Sequence, residues 1–151
     1  MAAYDTVAPV YSGVFDDINL RCFEWPWLKN LINELRPHSL LDLGCGNGYL
    51  VKALGTMIPN LYAVEPSVPM FCAAQDLVGE TAALYNASAE NLPFADDFFD
   101  VIISLLSFRY MNWGKSLPEI RRVIKPEGTL IMVPFICTSC GTTTWKTVDT
   151  R

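Results

Sequence analysis

The chain has 151 residues, of which 51% are hydrophobic, and a formal net charge of −5 at pH 7. This length and hydrophobic content suit one domain with a buried core and exclude a disordered chain. Because the charge is acidic and no run of Lys or Arg occurs, the sequence predicts a small-molecule or protein ligand and no nucleic acid.

Three features of the sequence indicate the compartment. The first residues lack a basic stretch followed by an apolar one, so a secretory signal is not expected. The apolar run from Val101 to Phe108 is too short to span a bilayer. Five cysteines, an odd number placed mostly in apolar segments, favour reduced thiols. We therefore expect a cytoplasmic protein that makes no membrane contact.

Hydrophobic periodicity divides the chain into three predicted parts. Residues 1–36 have amphipathic helical patterns and are expected to form an N-terminal helical lid or cap. Residues 37–136 alternate strand and helix patterns and form the predicted core. Residues 137–151 are small, polar and aperiodic, so they are expected to form a tail that is loose or only locally ordered.

The predicted core is an α/β fold. Its strands are short apolar segments bounded by turn residues, and they alternate with helices. This alternation predicts a doubly wound parallel sheet of about five strands with helices on both faces. The strands are predicted at 39–43, 61–65, 82–86, 99–104 and 129–135, with helices at 67–78 and at 116–124, the latter opened by a capping box at Ser116 and Glu119.

The most informative segment joins the first predicted strand to the next helix. Asp42 lies near the end of an apolar run and is followed by glycines at alternate positions, Gly44, Gly46 and Gly48. Glycines there allow the backbone to turn sharply and to approach a ligand without an intervening Cβ. The dinucleotide fingerprint has its third glycine where this sequence has Tyr49, so a nicotinamide cofactor is disfavoured.

Later strands also bring polar residues to the carboxyl edge of the sheet, where ligands bind in open parallel sheets. Glu65 ends the second strand, seventeen positions after Gly48, and a carboxylate there can accept hydrogen bonds from a ribose diol. A buried acid without such a partner would be costly. A solvated acid at the start of a loop is the competing interpretation.

Four motifs, taken in order, resemble those of class I S-adenosylmethionine-dependent methyltransferases. They are the acid-x-Gly-x-Gly-x-Gly loop, Glu65, the segment from Asn86 to Phe94, and the helix, turn and strand from Glu119 to Leu130. The likeness runs from about Tyr4 to Phe135 and includes a lid-like beginning similar to that of small-molecule members. It implies a Rossmann-like sheet of order 3-2-1-4-5, S-adenosylmethionine as the cofactor and a small-molecule methyl acceptor.

The resemblance also implies which residues hold the cofactor. The adenine edge is read after strand three, where the family usually has aspartate and this chain has Ser88, a weaker and uncharged acceptor. The segment after strand four lies beneath the methionine part of the cofactor. The implied cofactor-binding residues are Asp42, Gly44, Cys45, Gly46, Gly48, Glu65, Pro66, Ser67, Ser88, Ala89, Glu90 and Ser104.

The acceptor side is less defined by the sequence. Arg109 and Tyr110 follow strand four, and a permanent cation there could clamp an acceptor carboxylate or phosphate, or be an ordinary exposed arginine. Tyr11 either contacts the bound cofactor or simply packs. No residue is assigned a catalytic role, because methyl transfer chiefly requires alignment and exclusion of water. The single histidine, His38, is predicted at the opposite end of the sheet.

The C-terminal part leaves several alternatives open. Cys137 and Cys140 have the spacing of half a zinc site, but no second pair matches it, so free thiols and no metal are expected. The apolar edge of strand five would be covered by the tail, be covered by a second copy, or belong to a truncated product. Self-association through this edge is the preferred hypothesis. An inactive cofactor-binding subunit with a partner role and an NAD-dependent oxidoreductase are the alternative functions.

Overall fold

The computed structural model describes residues 24–133 and 146–149, and helices and strands alternate within them. Two short 3-10 helices, Gly79–Thr81 and Phe108–Tyr110, lie in the connections. The elements in chain order are α1 (Glu24–Leu35), β1 (Ser39–Leu43), α2 (Tyr49–Leu54), β2 (Asn60–Val64), α3 (Val68–Val78), β3 (Ala83–Tyr85), β4 (Phe99–Leu105), α4 (Trp113–Val123), β5 (Ile124–Val133) and β6 (Lys146–Asp149).

The strands form one sheet of order β3-β2-β1-β4-β5-β6. The first five strands are parallel, and β6 pairs antiparallel with β5. The predicted α/β fold and the strand order 3-2-1-4-5 are confirmed. Strand β1 is central, with β2 on one side and β4 on the other, so the winding reverses at its carboxyl end. Ligands of such sheets bind at this point.

Each face of the sheet is covered by a layer of helices. Leu40 packs on one face with apolar residues of α1 and α2, and Leu41 packs on the other with α4. Helix α1 belongs to this core, because Leu28 and Ile32 are only 1% and 2% exposed. The remainder of the predicted N-terminal cap, residues 1–23, lies outside the described residues. None of the described helices is long and apolar enough to cross a membrane.

Helix α4 begins earlier than the sequence predicts. It starts at Trp113, after Asn112, whose carbonyl accepts hydrogen bonds from the amides of Lys115 and Ser116 at 2.9 and 2.8 Å. The predicted start at Ser116 was therefore wrong, because the Ser116 hydroxyl bonds the Asn112 carbonyl one turn back instead of capping a helix. The sequence did not predict the first turn of α4 because that turn contains Gly114, and glycine disfavours helix.

Strand β5 also begins earlier than predicted. Ile124 already pairs with Phe99, and the register shifts before Val101 pairs with Thr129. The predicted turn at 125–128 is therefore an irregular stretch within β5. Gly128 is buried there, and a Cβ at this position would lie 2.5 Å from the Ile124 side chain, so the irregularity requires glycine.

The edge of β5 is paired within the chain. Residues Thr129 to Met132 pair antiparallel with β6, with Met132 opposite Lys146. The expectation that strand five presents a bare edge to a second copy was wrong, because part of the predicted loose tail supplies the covering strand. Residues 134–145, including Cys137 and Cys140, lie outside the described residues.

A charged cluster fastens the connection between β3 and β4 to α4. The guanidinium of Arg122 donates to both carboxylate oxygens of Glu119 at 2.8 Å and to the carbonyls of Leu92 and Phe94 at 3.0 and 2.7 Å. Glu119 also accepts the Leu92 amide at 2.8 Å. The Arg122 guanidinium and the Leu92 amide lower the pKa of Glu119 to about 2.

This depressed pKa predicts how the stability of the protein depends on pH. The folded-state pKa of Glu119 lies below its unfolded value of about 4.3, so the stabilisation is present above that value and is lost as pH falls toward 2. We expect Glu119→Gln to lower the free energy of unfolding by about 1 kcal/mol at pH 7. Urea titrations at pH 7, 4 and 2.5 should show this difference shrinking with acid.

The matched control is Glu127→Gln, which neutralises an exposed acid elsewhere on the chain. It should leave unfolding unchanged at each pH. A Glu119→Gln deficit that persists undiminished at pH 2.5 would contradict the assignment.

Candidate functional site

The loop between β1 and α2 is tied firmly to the end of β2. The amides of Gly44 and Cys45 both donate to the carbonyl of Val64, at 2.9 and 3.0 Å. The Gly48 carbonyl accepts the Lys52 amide at 2.9 Å and so begins α2. These bonds fix the loop at the carboxyl edge of the sheet.

The three glycines of this loop have left-handed backbone torsions but different surroundings. Their φ angles are +81° at Gly44, +58° at Gly46 and +86° at Gly48. A Cβ on Gly44 would lie 2.5 Å from Cβ of Ser107, and one on Gly48 would lie 2.8 Å from Val78. A Cβ on Gly46 would meet nothing within 4 Å. Gly44 and Gly48 therefore permit close packing, whereas Gly46 borders open space.

Glu65 joins this loop to the start of α3. Its side chain accepts the Gly46 amide on Oε2 and the Ser67 amide on Oε1, both at 2.9 Å. The residue is only 6% exposed. A carboxylate offers about four acceptor positions, so two backbone amides do not by themselves prevent it from binding a ligand hydroxyl.

The backbone of Glu65 is bonded to the end of β3. Its amide donates to the Tyr85 carbonyl at 3.1 Å, and the Asn86 side-chain amide donates to its carbonyl at 2.8 Å. Asn86 also reaches the Pro66 carbonyl at 3.3 Å. The carboxyl ends of β1, β2 and β3 are therefore connected through one acidic residue.

Two buried polar atoms near these segments have no hydrogen-bond partner among the described residues. They are Nδ2 of Asn47, in the glycine loop, and Oγ of Ser67, at the N-cap of α3. Asn47 is 7% exposed and Ser67 is fully buried. Because buried polar groups are nearly always satisfied, both atoms are suited to bind a ligand or water.

Ser104 and Ser107 connect the end of β4 to the glycine loop. Their hydroxyl oxygens lie 2.9 Å apart, and the Ser107 hydroxyl donates to the Leu43 carbonyl. Ser104 is fully buried at the carboxyl end of β4. Ser104, which was predicted to bind the cofactor, is therefore linked to the start of the glycine loop through Ser107.

The segment after β3 is held by Glu90. Ala89 is buried in the core, whereas Ser88 is half-buried and its carbonyl accepts the Asn91 amide at 3.1 Å. One oxygen of the Glu90 carboxylate accepts the Asn112 amide at 2.8 Å. It also lies 3.2 Å from the Ser116 hydroxyl, whose single proton it shares with the Asn112 carbonyl at 2.9 Å. Burial opposes ionisation here, but these hydrogen bonds outweigh it and lower the pKa of Glu90.

Aromatic side chains accompany the 3-10 helix after β4. The Arg109 guanidinium lies 4.7 Å from the centre of the Tyr110 ring. Trp113 stacks on Phe108 with ring centres 5.1 Å apart, and its indole N–H donates to the Phe108 carbonyl at 2.9 Å. Tyr110 and Trp113 are nevertheless 49% and 55% exposed. The segment thus presents ordered aromatic rings at the surface.

Cys45 is not suited to act as a nucleophile. Burial, followed by the negative charges of Asp42 and Glu65, raises the pKa of its thiol well above the ordinary value. The thiol is therefore neutral at pH 7. Within the described ranges, no group of three or more His, Cys, Asp or Glu side chains could hold a metal ion.

Several residues that contact the site received no role from the sequence. Asn47, Asn86 and Asn112 each follow a strand or a short turn, which is the one signal that could have singled them out. Among the predicted residues, Asp42 is 2% exposed in β1 and Pro66 is exposed between Glu65 and Ser67. Tyr11 lies outside the described residues. The structure joins Gly46, Glu65 and Ser67 directly and places Arg109 in the 3-10 helix after β4.

Comparison with known proteins identifies the class of this fold. The methyltransferase domain family matches residues 41–132 of the chain. The chain is 33% identical over 128 residues to the malonyl-(acyl-carrier protein) O-methyltransferase of Pseudescherichia vulneris, which covers 80% of this chain and 49% of that protein. It is 30% identical over 136 residues to the tRNA (carboxymethyluridine(34)-5-O)-methyltransferase of Arabidopsis thaliana. That match covers 85% of this chain and 30% of the Arabidopsis protein.

A solved structure shares this fold. The PH0226 protein from Pyrococcus horikoshii OT3 superposes with a TM-score of 0.72 at 26% identity, over 87% of this chain and 65% of that one. The fold and glycine loop are those of class I S-adenosylmethionine-dependent methyltransferases. The chain belongs to the methyltransferase domain family of this class. It spans about half or less of the length of the curated relatives named above.

The different surroundings of the glycines predict different effects of adding a methyl group. Gly46→Ala should fold with a penalty of about 1 kcal/mol for its left-handed torsion but weaken binding of S-adenosylhomocysteine, because the methyl enters the open space. Gly48→Ala should lower the melting temperature more, because its methyl meets Val78 and Ala74. Ligand-free melting and calorimetric titration separate the two effects. Equal losses of melting temperature in both variants would contradict this distinction.

Proposed function

We propose that this chain binds S-adenosylmethionine at the carboxyl ends of β1 and β2 and methylates a small-molecule acceptor. The observation that carries the proposal is the Gly46 position. Its amide is fixed by Glu65, while the side on which it lacks a Cβ borders open space. A loop shaped in this way brings backbone close to a ligand.

The residues present fit an adenosyl amino acid. Such a ligand carries hydroxyl, amino, carboxylate and ring nitrogen groups, and the segments around Glu65 offer matching polar groups. Asn47 Nδ2 is a buried donor and Ser67 Oγ a buried hydroxyl, and neither has a partner among the described residues. A polar ligand would satisfy both, whereas an apolar one would leave them unsatisfied.

Each segment of the site has a proposed share in holding the cofactor. The loop from Gly44 to Gly48, with Asp42 and Cys45, would face its amino acid part. Glu65 would accept hydrogen bonds from the ribose hydroxyls, with Pro66 and Ser67 beside it. Ser88 and Ala89 would read the adenine edge, and Ser104 would support the methionine end through Ser107.

The reaction places modest demands on the protein. S-adenosylmethionine supplies a methyl group already activated on a sulfonium, so that transfer is an in-line displacement. The chain has to align the acceptor and exclude water. Arg109 and Tyr110 follow β4 and are the residues proposed to face the acceptor, together with Tyr11 from the N-terminal segment.

A small acceptor agrees with the charge of the chain. The relatives named above are a malonyl-(acyl-carrier protein) O-methyltransferase and a tRNA methyltransferase, so an acceptor that is, or is carried on, a macromolecule is the rival proposal. Polyanions are attracted by clusters of Lys and Arg, and this chain has 11 such residues against 16 acids. Its overall charge therefore opposes tRNA and acidic protein partners alike.

Two further features bear on the setting of this activity. Cys45 and Cys72 are free thiols in the described part of the chain, which supports a reducing, cytoplasmic setting. Family membership favours a methyltransferase over the alternatives of an inactive cofactor-binding subunit and a nicotinamide oxidoreductase.

The first test concerns Glu65 and the cofactor. Calorimetric titration of the full chain should show binding of S-adenosylmethionine and S-adenosylhomocysteine but not NAD. Glu65→Ala should raise the dissociation constant at least about tenfold, because a hydrogen bond to a charged group contributes about 1.5–3 kcal/mol. Glu80→Gln, an exposed acid in the 3-10 helix after α3, is the control and should bind as the parent does. A parent chain that binds NAD alone would refute the proposal.

The second test concerns the acceptor class. The chain is incubated with S-adenosylmethionine carrying a labelled methyl group, separately with a small-metabolite extract, total tRNA and total protein. Label is expected in the metabolite fraction, and Glu65→Ala should lose it. Label confined to tRNA or protein would overturn the small-molecule proposal, and cofactor binding without any transfer would favour the inactive subunit.

A further inference from the structure

Glu90 makes contacts that cofactor binding alone does not explain. Its carboxylate accepts the Asn112 amide and the Ser116 hydroxyl, which belong to the N-cap and first turns of α4. Glu90 itself lies two residues after Ser88 in the segment proposed to read adenine, inside the turn that the Ser88 carbonyl closes by accepting the Asn91 amide at 3.1 Å. Glu90 therefore lies between two parts of the site that are distant in sequence.

The residues from 107 to 113, here called the acceptor segment, are anchored at both ends. At one end Ser107 donates to the Leu43 carbonyl and packs against Gly44. At the other end the Asn112 amide is held by Glu90. Arg109 and Tyr110 lie between these anchors. A shift of either cofactor-side segment would therefore move the residues proposed to face the acceptor.

We propose that Glu90 is a positioning residue that couples the adenine side of the cofactor site to the acceptor segment. The inference rests on the proposed function of this site. Its consequence is that ligand bound beside Ser88 changes the setting of the acceptor segment. Because coupling between two binding sites is reciprocal, a bound acceptor then changes the affinity for the cofactor by the same factor.

The turn from Ser88 to Asn91 provides the physical route. The Ser88 carbonyl accepts the Asn91 amide at 3.1 Å, and Glu90 lies within that turn. A ligand that displaces the backbone at Ser88 therefore also displaces Glu90, and with it the hold of Glu90 on Asn112.

Trp113 supplies a reporter for this coupling. Its indole N–H is hydrogen-bonded to Phe108 and lies one residue from Asn112. The chain has four tryptophans, so a nitrogen-15 spectrum shows few indole signals, and Trp113→Phe identifies the relevant one. The probe ligand is S-adenosylhomocysteine, titrated into the full chain while calorimetry measures its affinity.

The expected result separates coupling from stability. The Trp113 indole signal of the parent chain should shift when the chain is saturated with S-adenosylhomocysteine. In Glu90→Ala that shift should fall to less than about a third of the parent's value. The dissociation constant of this variant for S-adenosylhomocysteine should differ from the parent's by a factor of about 3–30. Ser116→Ala should reduce the shift in the same direction, and the double variant should add little to Glu90→Ala. Lys115→Ala, an exposed position on the same helix, is the control and should keep the full shift.

The outcomes distinguish this inference from the proposed function. A parent chain that does not bind S-adenosylhomocysteine refutes both. Binding with an undiminished Trp113 shift in Glu90→Ala refutes the coupling alone, even if that variant melts at a lower temperature. If Glu90→Ala does not fold, Ser116→Ala decides, and a full shift in that variant likewise refutes the coupling.

Discussion

The carboxylate of Glu65 is the interaction on which the rest of the site depends. It is buried, so the cost of removing its charge from water must be offset, and the amides of Gly46 and Ser67 do this with charge-assisted hydrogen bonds. The same two bonds hold the glycine loop and the first turn of α3 at a fixed separation. The negative charge of Glu65, which is suited to accept hydrogen bonds from a ribose diol, thus also fixes the backbone around it.

The fold was predictable wherever its signals are local. The span of β1 agrees with its predicted bounds, and α3 starts one residue after its predicted start and ends at its predicted end. The errors fall where distant contacts decide. Helix α4 starts at Trp113 because Asn112 caps it and is itself held by Glu90, which lies 22 residues earlier. Strand β6 could not be predicted from its own residues, because it forms by pairing with the edge of β5.

The positions of the predicted site residues in the fold could be read from the sequence, but the network of contacts among them could not. Glycine spacing and the position of Glu65 identified the loop and its acid, because both recur at the carboxyl ends of strands. Sequence could not show that Ser104 reaches the loop only through Ser107, or that Glu90 turns toward α4. Those facts depend on side-chain directions that the packing of helices on the sheet determines.

The two ends of the sheet use polar groups in opposite ways. At the amino end, the carboxylate of Asp100 accepts the amides of His38 and Ser39 and pairs with Lys125 at 2.6 Å, while His38 contacts Asn60. These groups satisfy one another and so hold strands together. At the carboxyl end, Asn47 and Ser67 keep buried polar atoms that no described residue satisfies. Since unsatisfied buried groups cost stability, their concentration at one edge is best explained by a ligand that completes them.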